Sequence, residues 1–172
     1  MTAPAVVLIG APGSGKTTVG TLLAERLGVG FRDTDQDVEH GCGMSVAELV
    51  RLRGEAPFRE LERIAVRTAL DEHDGVLALG GGAVLDPSTQ RLLAAHRVVH
   101  LSTDPATALA RIGGAASRPL LADDPERGLR ELFRVRGPLY RRLATLTVDS
   151  AGTPAQAALR LALALETTGA AT

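Results

Sequence analysis

Tryptophan is absent from this 172-residue chain, tyrosine occurs once and phenylalanine three times. That leaves no aromatic platform on which nucleic-acid bases could stack. An excess of one charge is lacking too. Nineteen Lys and Arg against twenty Asp and Glu leave a net charge of −1, which excludes bulk nucleic-acid binding through a basic surface. Cys42 is the only cysteine, so no internal disulfide can form and nothing points to an oxidising compartment. His40, His73, His96 and His100 are scattered, without the spacing of zinc ligands. No apolar run approaches the length of a membrane span, and no positive segment leads into a long apolar run at the N-terminus. The expectation is a cytoplasmic protein that engages neither nucleic acid nor membrane and acts as a monomer.

What is present is an ordinary globular balance, with 45% hydrophobic and 23% charged residues. The length suits one domain over residues 1–172. Short β-branched runs at Ala5 to Ile9, Gly30 to Asp33, Val76 to Gly80, Arg97 to Leu101 and Thr145 to Asp149 read as strands. Helical patterns separate them, which predicts an α/β fold with a parallel sheet covered on both faces. Asp86-Pro87, Asp104-Pro105, Asp124-Pro125 and Thr153-Pro154 each set a capping side chain before a proline at a helix start, and Ser45 to Glu48 fits a capping box. The final segment alternates Leu159, Leu161, Leu163 and Leu165 as a strand would, but its Ala and Leu content and its length predict helix, with a frayed tail from Thr167.

Gly10-Ala11-Pro12-Gly13-Ser14-Gly15-Lys16-Thr17 is a complete Walker A motif between a strand and a helix carrying Val19, Leu22, Leu23 and Leu27 on one face. Glycines let backbone N–H groups converge on a phosphate, and the following helix adds its N-terminal dipole. Lys16 can reach the β- and γ-phosphates and the Thr17 hydroxyl can ligate Mg²⁺. The motif in this context outweighs a mere glycine-rich turn.

Other features are less specific taken singly. Asp33 and Asp35 end a candidate strand, where ligands of open α/β sheets sit; they would equally suit a polar turn capping a helix. On the helix from Glu55 to Asp74, Arg59 and Glu62 interrupt an apolar stripe that includes Phe58, Leu61, Ala65 and Ala69. Charges there need partners, and these two are three apart. Either they form a stabilising pair, or Glu62 aims Arg59 at an anion whose carboxylate the guanidinium fork would match. Gly80, Gly81 and Gly82 empty a buried strand into a loop, where Gly81 and Gly82 read as a pocket wall offering backbone N–H groups, in preference to a merely flexible strand-to-loop transition. Gly113 and Gly114 beside Arg118 suit a mobile lid, or an ordinary surface loop. Arg136 continues an apolar phase just before Gly137-Pro138, as an anion binder or as a cap on helix-end carbonyls.

The ordered set resembles the shikimate kinase family. It comprises the Walker loop, Asp33-Thr34-Asp35, Phe58-Arg59-Glu60-Leu61-Glu62, Gly80 to Gly82, Arg118-Pro119-Leu120-Leu121 and Arg136-Gly137-Pro138-Leu139-Tyr140. Matching elements run from Val6 to Asp149. The resemblance implies a nucleoside-monophosphate-kinase-like, three-layer P-loop fold with a five-stranded parallel sheet, flanking helices and a lid over about 112–124. It implies transfer of the ATP γ-phosphoryl group to the 3-hydroxyl of shikimate, with Mg²⁺. Gly13, Ser14, Gly15, Lys16, Thr17, Thr18, Arg111 and Arg118 would bind ATP. Asp35, Arg59, Gly81, Gly82 and Arg136 would bind shikimate. Thr17, and Asp33 through water, would hold the metal, and Lys16, Asp35 and Arg118 would be catalytic. One departure stands out: many members carry an arginine beside the adenine just before the last helix, where Ala151-Gly152-Thr153-Pro154 supplies none. The competing readings are a kinase for another small hydroxy acid such as gluconate, or a non-catalytic nucleotide switch.

Overall fold

Strand β1 (Val6–Ile9) is apolar on both faces, and that dictates the layering. Val6 and Leu8 point into one hydrophobic cluster, with Val19, Leu23 and Leu161. Val7 and Ile9 point into another, with Val66, Leu70, Leu93 and Tyr140. Each of these side chains is essentially shielded from solvent, and burying one stabilises the fold by on the order of 2 kcal/mol. A strand buried on both sides must lie inside a sheet with helices above and below.

The computed structural model describes residues 3–112 and 124–169. Along the chain it comprises β1, α1 (Lys16–Leu27), β2 (Phe31–Asp33), α2 (Thr34–Cys42), α3 (Val46–Arg53), α4 (Glu55–Glu72) and β3 (Val76–Ala78). A 3₁₀ turn (Ala83–Leu85), α5 (Pro87–Leu93), β4 (Val98–Ser102), α6 (Pro105–Ile112), α7 (Pro125–Leu143), β5 (Leu146–Asp149) and α8 (Pro154–Gly169) follow. The five strands form one sheet in the order β2-β3-β1-β4-β5, and every pairing is parallel.

Helices α1 and α8 cover one face, whereas α4, α5 and α7 pack on the other. The chain leaving β1 therefore turns to one face and the chain leaving its neighbour β3 to the other. Diverging loops of that kind open a crevice at the carboxyl edge of a parallel sheet. A smaller cluster of Val38, Leu49, Phe58 and Ala65 joins α2, α3 and α4 beside that edge.

Most expected boundaries hold to within a residue or two. Asp86 caps α5 by accepting from the Ser88 and Thr89 N–H groups, Asp124 caps α7, and the Ser45–Glu48 capping box closes in both directions. The tail differs: helix continues through Thr167 to Gly169. Leu165 is buried there and the Thr167 hydroxyl donates to the Ala164 carbonyl, so packing and a local bond carry the last turn.

Candidate active site

The turn from β1 into α1 forms a cradle of backbone. Gly10, Gly13 and Gly15 all have positive φ, at 155°, 77° and 90°. At Gly13 the space is closed as well, since a Cβ would stand 2.5 Å from the Ala108 carbonyl oxygen of α6. Only glycine fits there. Lys16 opens α1 and its Nζ donates to the Gly10 and Ala11 carbonyls at 2.8 and 3.2 Å, arching over the loop. Thr17 and Thr18 lie exposed on the first turn, where N–H groups and the helix dipole favour an anion. Ser14 is buried beneath, its hydroxyl without a hydrogen-bond partner among the described residues.

The end of β2 meets this cradle. Asp33 Oδ2 accepts from the Thr17 hydroxyl at 2.7 Å, and Oδ1 accepts from the Asp35 N–H at 2.9 Å, capping α2. Asp33 thus caps a helix, one of the two sequence readings of this segment, and also stands beside the Walker threonine. A hydroxyl and a carboxylate side by side are oxygen donors of the kind Mg²⁺ prefers, so the residues fit that ion.

Arg59 on α4 is held by two acids. Its Nη1 donates to Glu62 at 2.7 Å and its Nη2 to Glu55 at 3.0 Å. The guanidinium carbon also sits 5.1 Å from the centre of the Phe58 ring, within cation–π range. Burial opposes the Arg59 charge, but Glu62 and Glu55 outweigh it and raise its pKa above the ordinary arginine value. Glu62 is only 4% exposed. Burial pushes its carboxyl up, Asp35 adds to the rise, and Arg59 and Arg136 hold it down against them. Asp35 and the half-buried Arg136 therefore lie within electrostatic reach of the same carboxylate.

The glycines after β3 close this corner. A Cβ at Gly80 would overlap Asp35 and stand 2.8 Å from Glu62 Oε1. A Cβ at Gly82 would overlap the Arg59 guanidinium, whose Cζ would be 2.7 Å away. Gly81 backs onto the Walker loop, where a Cβ would be 3.2 Å from Pro12 Cδ. Here glycine serves close approach, since Gly82 has an ordinary φ of −95°.

One cavity of about 550 Å³ runs from the Walker loop past the ends of β2 and β3. Gly13, Gly15, Lys16, Thr17 and Thr18 line it, as do Asp33, Asp35 and Gly81, together with Arg111, Ile112, Ser150 and Pro154. Arg111 ties two walls together by donating to Ser150 Oγ at 2.9 Å, to the Ser150 carbonyl at 2.8 Å and to the Gly13 carbonyl at 3.4 Å. Arg160 of α8 donates to the Asp149 and Ala151 carbonyls and so fixes the β5–α8 turn. Arg118 and the expected lid between Ile112 and Asp124 lie outside the described residues.

Sequence reasoning missed several partners. Glu55 precedes Arg59 by four residues, a readable helical spacing. Ser150 and Arg160 carry no local signal, because only the assembled β5–α8 turn brings them to the cleft. His100 and the hydroxyl of Tyr140 were likewise hidden, one in an apolar strand and the other in an apolar helix phase.

A Walker cradle at the carboxyl edge of a parallel sheet in this order, opening into a cleft that Asp33, Asp35 and Gly81 also line, defines a P-loop phosphotransferase of the small-molecule kinase class. The family model for shikimate kinase matches residues 12–166. A shikimate kinase of Streptomyces coelicolor is 55% identical over 152 residues, covering 88% of this chain and 89% of that protein. A shikimate kinase of Salinispora tropica is 54% identical, covering 95% of this chain and 98% of its own. The solved structure of shikimate kinase from Acinetobacter baumannii in complex with shikimate superposes with a TM-score of 0.91 at 33% identity, covering 98% of this chain and 95% of that one. The chain belongs to the shikimate kinase family.

Proposed function

We propose that this enzyme transfers the γ-phosphoryl group of ATP to the 3-hydroxyl of shikimate, giving shikimate 3-phosphate and ADP, and that the residues above divide the work as follows. Gly13, Ser14, Gly15, Lys16, Thr17 and Thr18 hold the ATP phosphates through the loop backbone and the Lys16 ammonium. Arg111, with Ser150 and Pro154, borders the adenine. Thr17 and Asp33 hold Mg²⁺, Asp33 through water; the ion neutralises charge on the β- and γ-oxygens when bound. Arg59 and Arg136 grip the shikimate carboxylate, Gly81 and Gly82 line its ring, and Asp35 orients the attacking hydroxyl. Lys16 and Arg118 offset charge that develops on the transferring group.

The observation that carries this assignment is the shared cavity. Asp35 and Gly81 line it together with Lys16 and Thr17, and a Cβ at neighbouring Gly82 would overlap Arg59. An acid anchored at Arg59 would present an alcohol toward the phosphate cradle. In-line transfer needs little covalent help from the protein, so positioning and charge neutralisation suffice. The reading includes a single domain over residues 1–172 with a lid over about 112–124, acting as a cytoplasmic monomer. Among the described residues no helix is long and apolar enough to cross a membrane. Family membership leaves no support for gluconate as acceptor or for a non-catalytic switch.

The assignment of Arg59 is tested by Arg59→Ala. Loss of a bidentate, charge-assisted pair should raise the KM for shikimate by roughly tenfold to a hundredfold, with the KM for ATP within about twofold. Steady-state kinetics with each substrate varied in turn give both numbers. An unchanged KM for shikimate removes Arg59 from the acceptor site.

A further inference from the structure

Tyr140 is the only tyrosine of the chain, and it is 1% exposed. Its hydroxyl donates to the Gly81 carbonyl at 2.6 Å, linking positions 59 apart in sequence. Its ring stacks on His100 of β4, with centroids 5.3 Å apart and planes inclined by 20°. His100 is itself only 7% exposed, and its Nδ1 has no hydrogen-bond partner among the described residues. Burial above all, and then the Arg141 and Lys16 charges, hold its pKa down to about 4. His100 thus backs the phenol as a neutral, flat surface rather than as an ion.

The placement of this bond is informative. Tyr140 follows Arg136 by four residues on α7, so the two side chains project from neighbouring turns of one helix face. Gly137 lies buried between them. Gly81 precedes Gly82, at which a Cβ would overlap the Arg59 guanidinium. The phenol therefore joins the helix that carries Arg136 to the glycine segment that packs against Arg59.

We infer that Tyr140 is a positioning residue for the acceptor: its hydrogen bond to Gly81, backed by His100, sets the distance between the Arg136 wall and the Gly81–Gly82 wall of the shikimate pocket. This rests on the proposed roles of Arg59, Arg136, Gly81 and Gly82. Fixing the two guanidinium groups before binding spares the substrate the cost of ordering them. A phenol held by a stacked ring and a short bond is stiffer than a longer polar side chain would be.

Tyr140→Phe removes only the hydroxyl, and with it the bond to the Gly81 carbonyl. The expected result is a rise of roughly fivefold to twentyfold in the KM for shikimate, at least five times any rise in the KM for ATP. A purely structural bond would instead lower the thermal midpoint and leave the ratio of the two KM values where it was. That outcome, or equal changes in both constants, overturns the inference. Because the chain has one tyrosine, growth on ring-fluorinated tyrosine labels Tyr140 alone in the otherwise unchanged enzyme. Its single ¹⁹F resonance should shift on saturation with shikimate, and an unmoved resonance overturns the inference even if Tyr140→Phe does not fold. Wild-type enzyme in the same assay separates the two levels: no turnover of shikimate sinks the functional reading, whereas normal turnover with an insensitive Tyr140→Phe sinks only the role given to the phenol.

Discussion

At the scale of single residues, the proposed acceptor corner depends on what is missing from Gly82. Its φ of −95° would suit any residue, so backbone strain does not select glycine there. A methyl group would strike the far end of a flexible side chain, the Arg59 guanidinium. Gly82→Ala should therefore leave the fold intact and move Arg59 off its bond to Glu62. The expected outcome is a KM for shikimate raised several-fold to tenfold, with the thermal midpoint lowered by only a few degrees. A midpoint that collapses, or an unchanged KM, would contradict the packing argument. Arg59 itself shows why one observation can serve two readings. The sequence permits either a stabilising ion pair or an anion-binding arginine, and the structure supplies the pair, to Glu62 and to Glu55. Gly82 packs against that pair and the charge of Arg136 acts on Glu62, which is what the proposed acceptor role builds on.

At the scale of elements, much was legible beforehand. Walker A glycines, proline-marked helix starts and β-branched runs are local signals, and β1, α1, α5, α7 and α8 follow them. Arg59 and Glu62 could be singled out because a charge in an apolar stripe is costly and visible in the helical phase. Pro138 made the phase of α7 ambiguous, yet α7 runs unbroken from Pro125 to Leu143. The buried Tyr140 contact and the Thr145 N–H bond to Val98 hold its end against the sheet. Illegible elements were those fixed only by assembly. Nothing near Ser150 announces that Arg111, from α6, will bind it. Nothing in Val98–Ser102 marks His100 as the platform under Tyr140. The turn at Gly152 lacks the family's arginine, and in the structure Arg160 instead fixes that turn from α8 through carbonyls. Backbone contacts made from α8 have no signature in the turn's own sequence.

At the scale of the whole molecule, the buried His100 couples stability to pH. Its pKa in the fold is about 4, against an ordinary 6.5. Between these values the unfolded chain takes up a proton that the folded chain refuses. Stability is therefore full above pH 6.5, declines as pH falls toward 4, and loses nothing more from this group below that. The loss by pH 4.5 should be on the order of 1–3 kcal/mol. Urea unfolding at pH 7 and pH 4.5 measures it, and His100→Phe, which keeps a ring against Tyr140, should lose that much less. Equal losses in both chains would show that the carboxylates, not His100, set the acid limit.

The phosphate cradle shares one cavity with Asp35 and Gly81, next to the Gly82 that packs against Arg59, and the proposed reaction requires an acid held there to meet the γ-phosphoryl group of ATP. ADP release from Mg·ATP, followed with and without shikimate, tests that most directly. Release should depend on shikimate and yield one shikimate 3-phosphate per ADP. Nucleotide binding with ADP release indifferent to shikimate would contradict it.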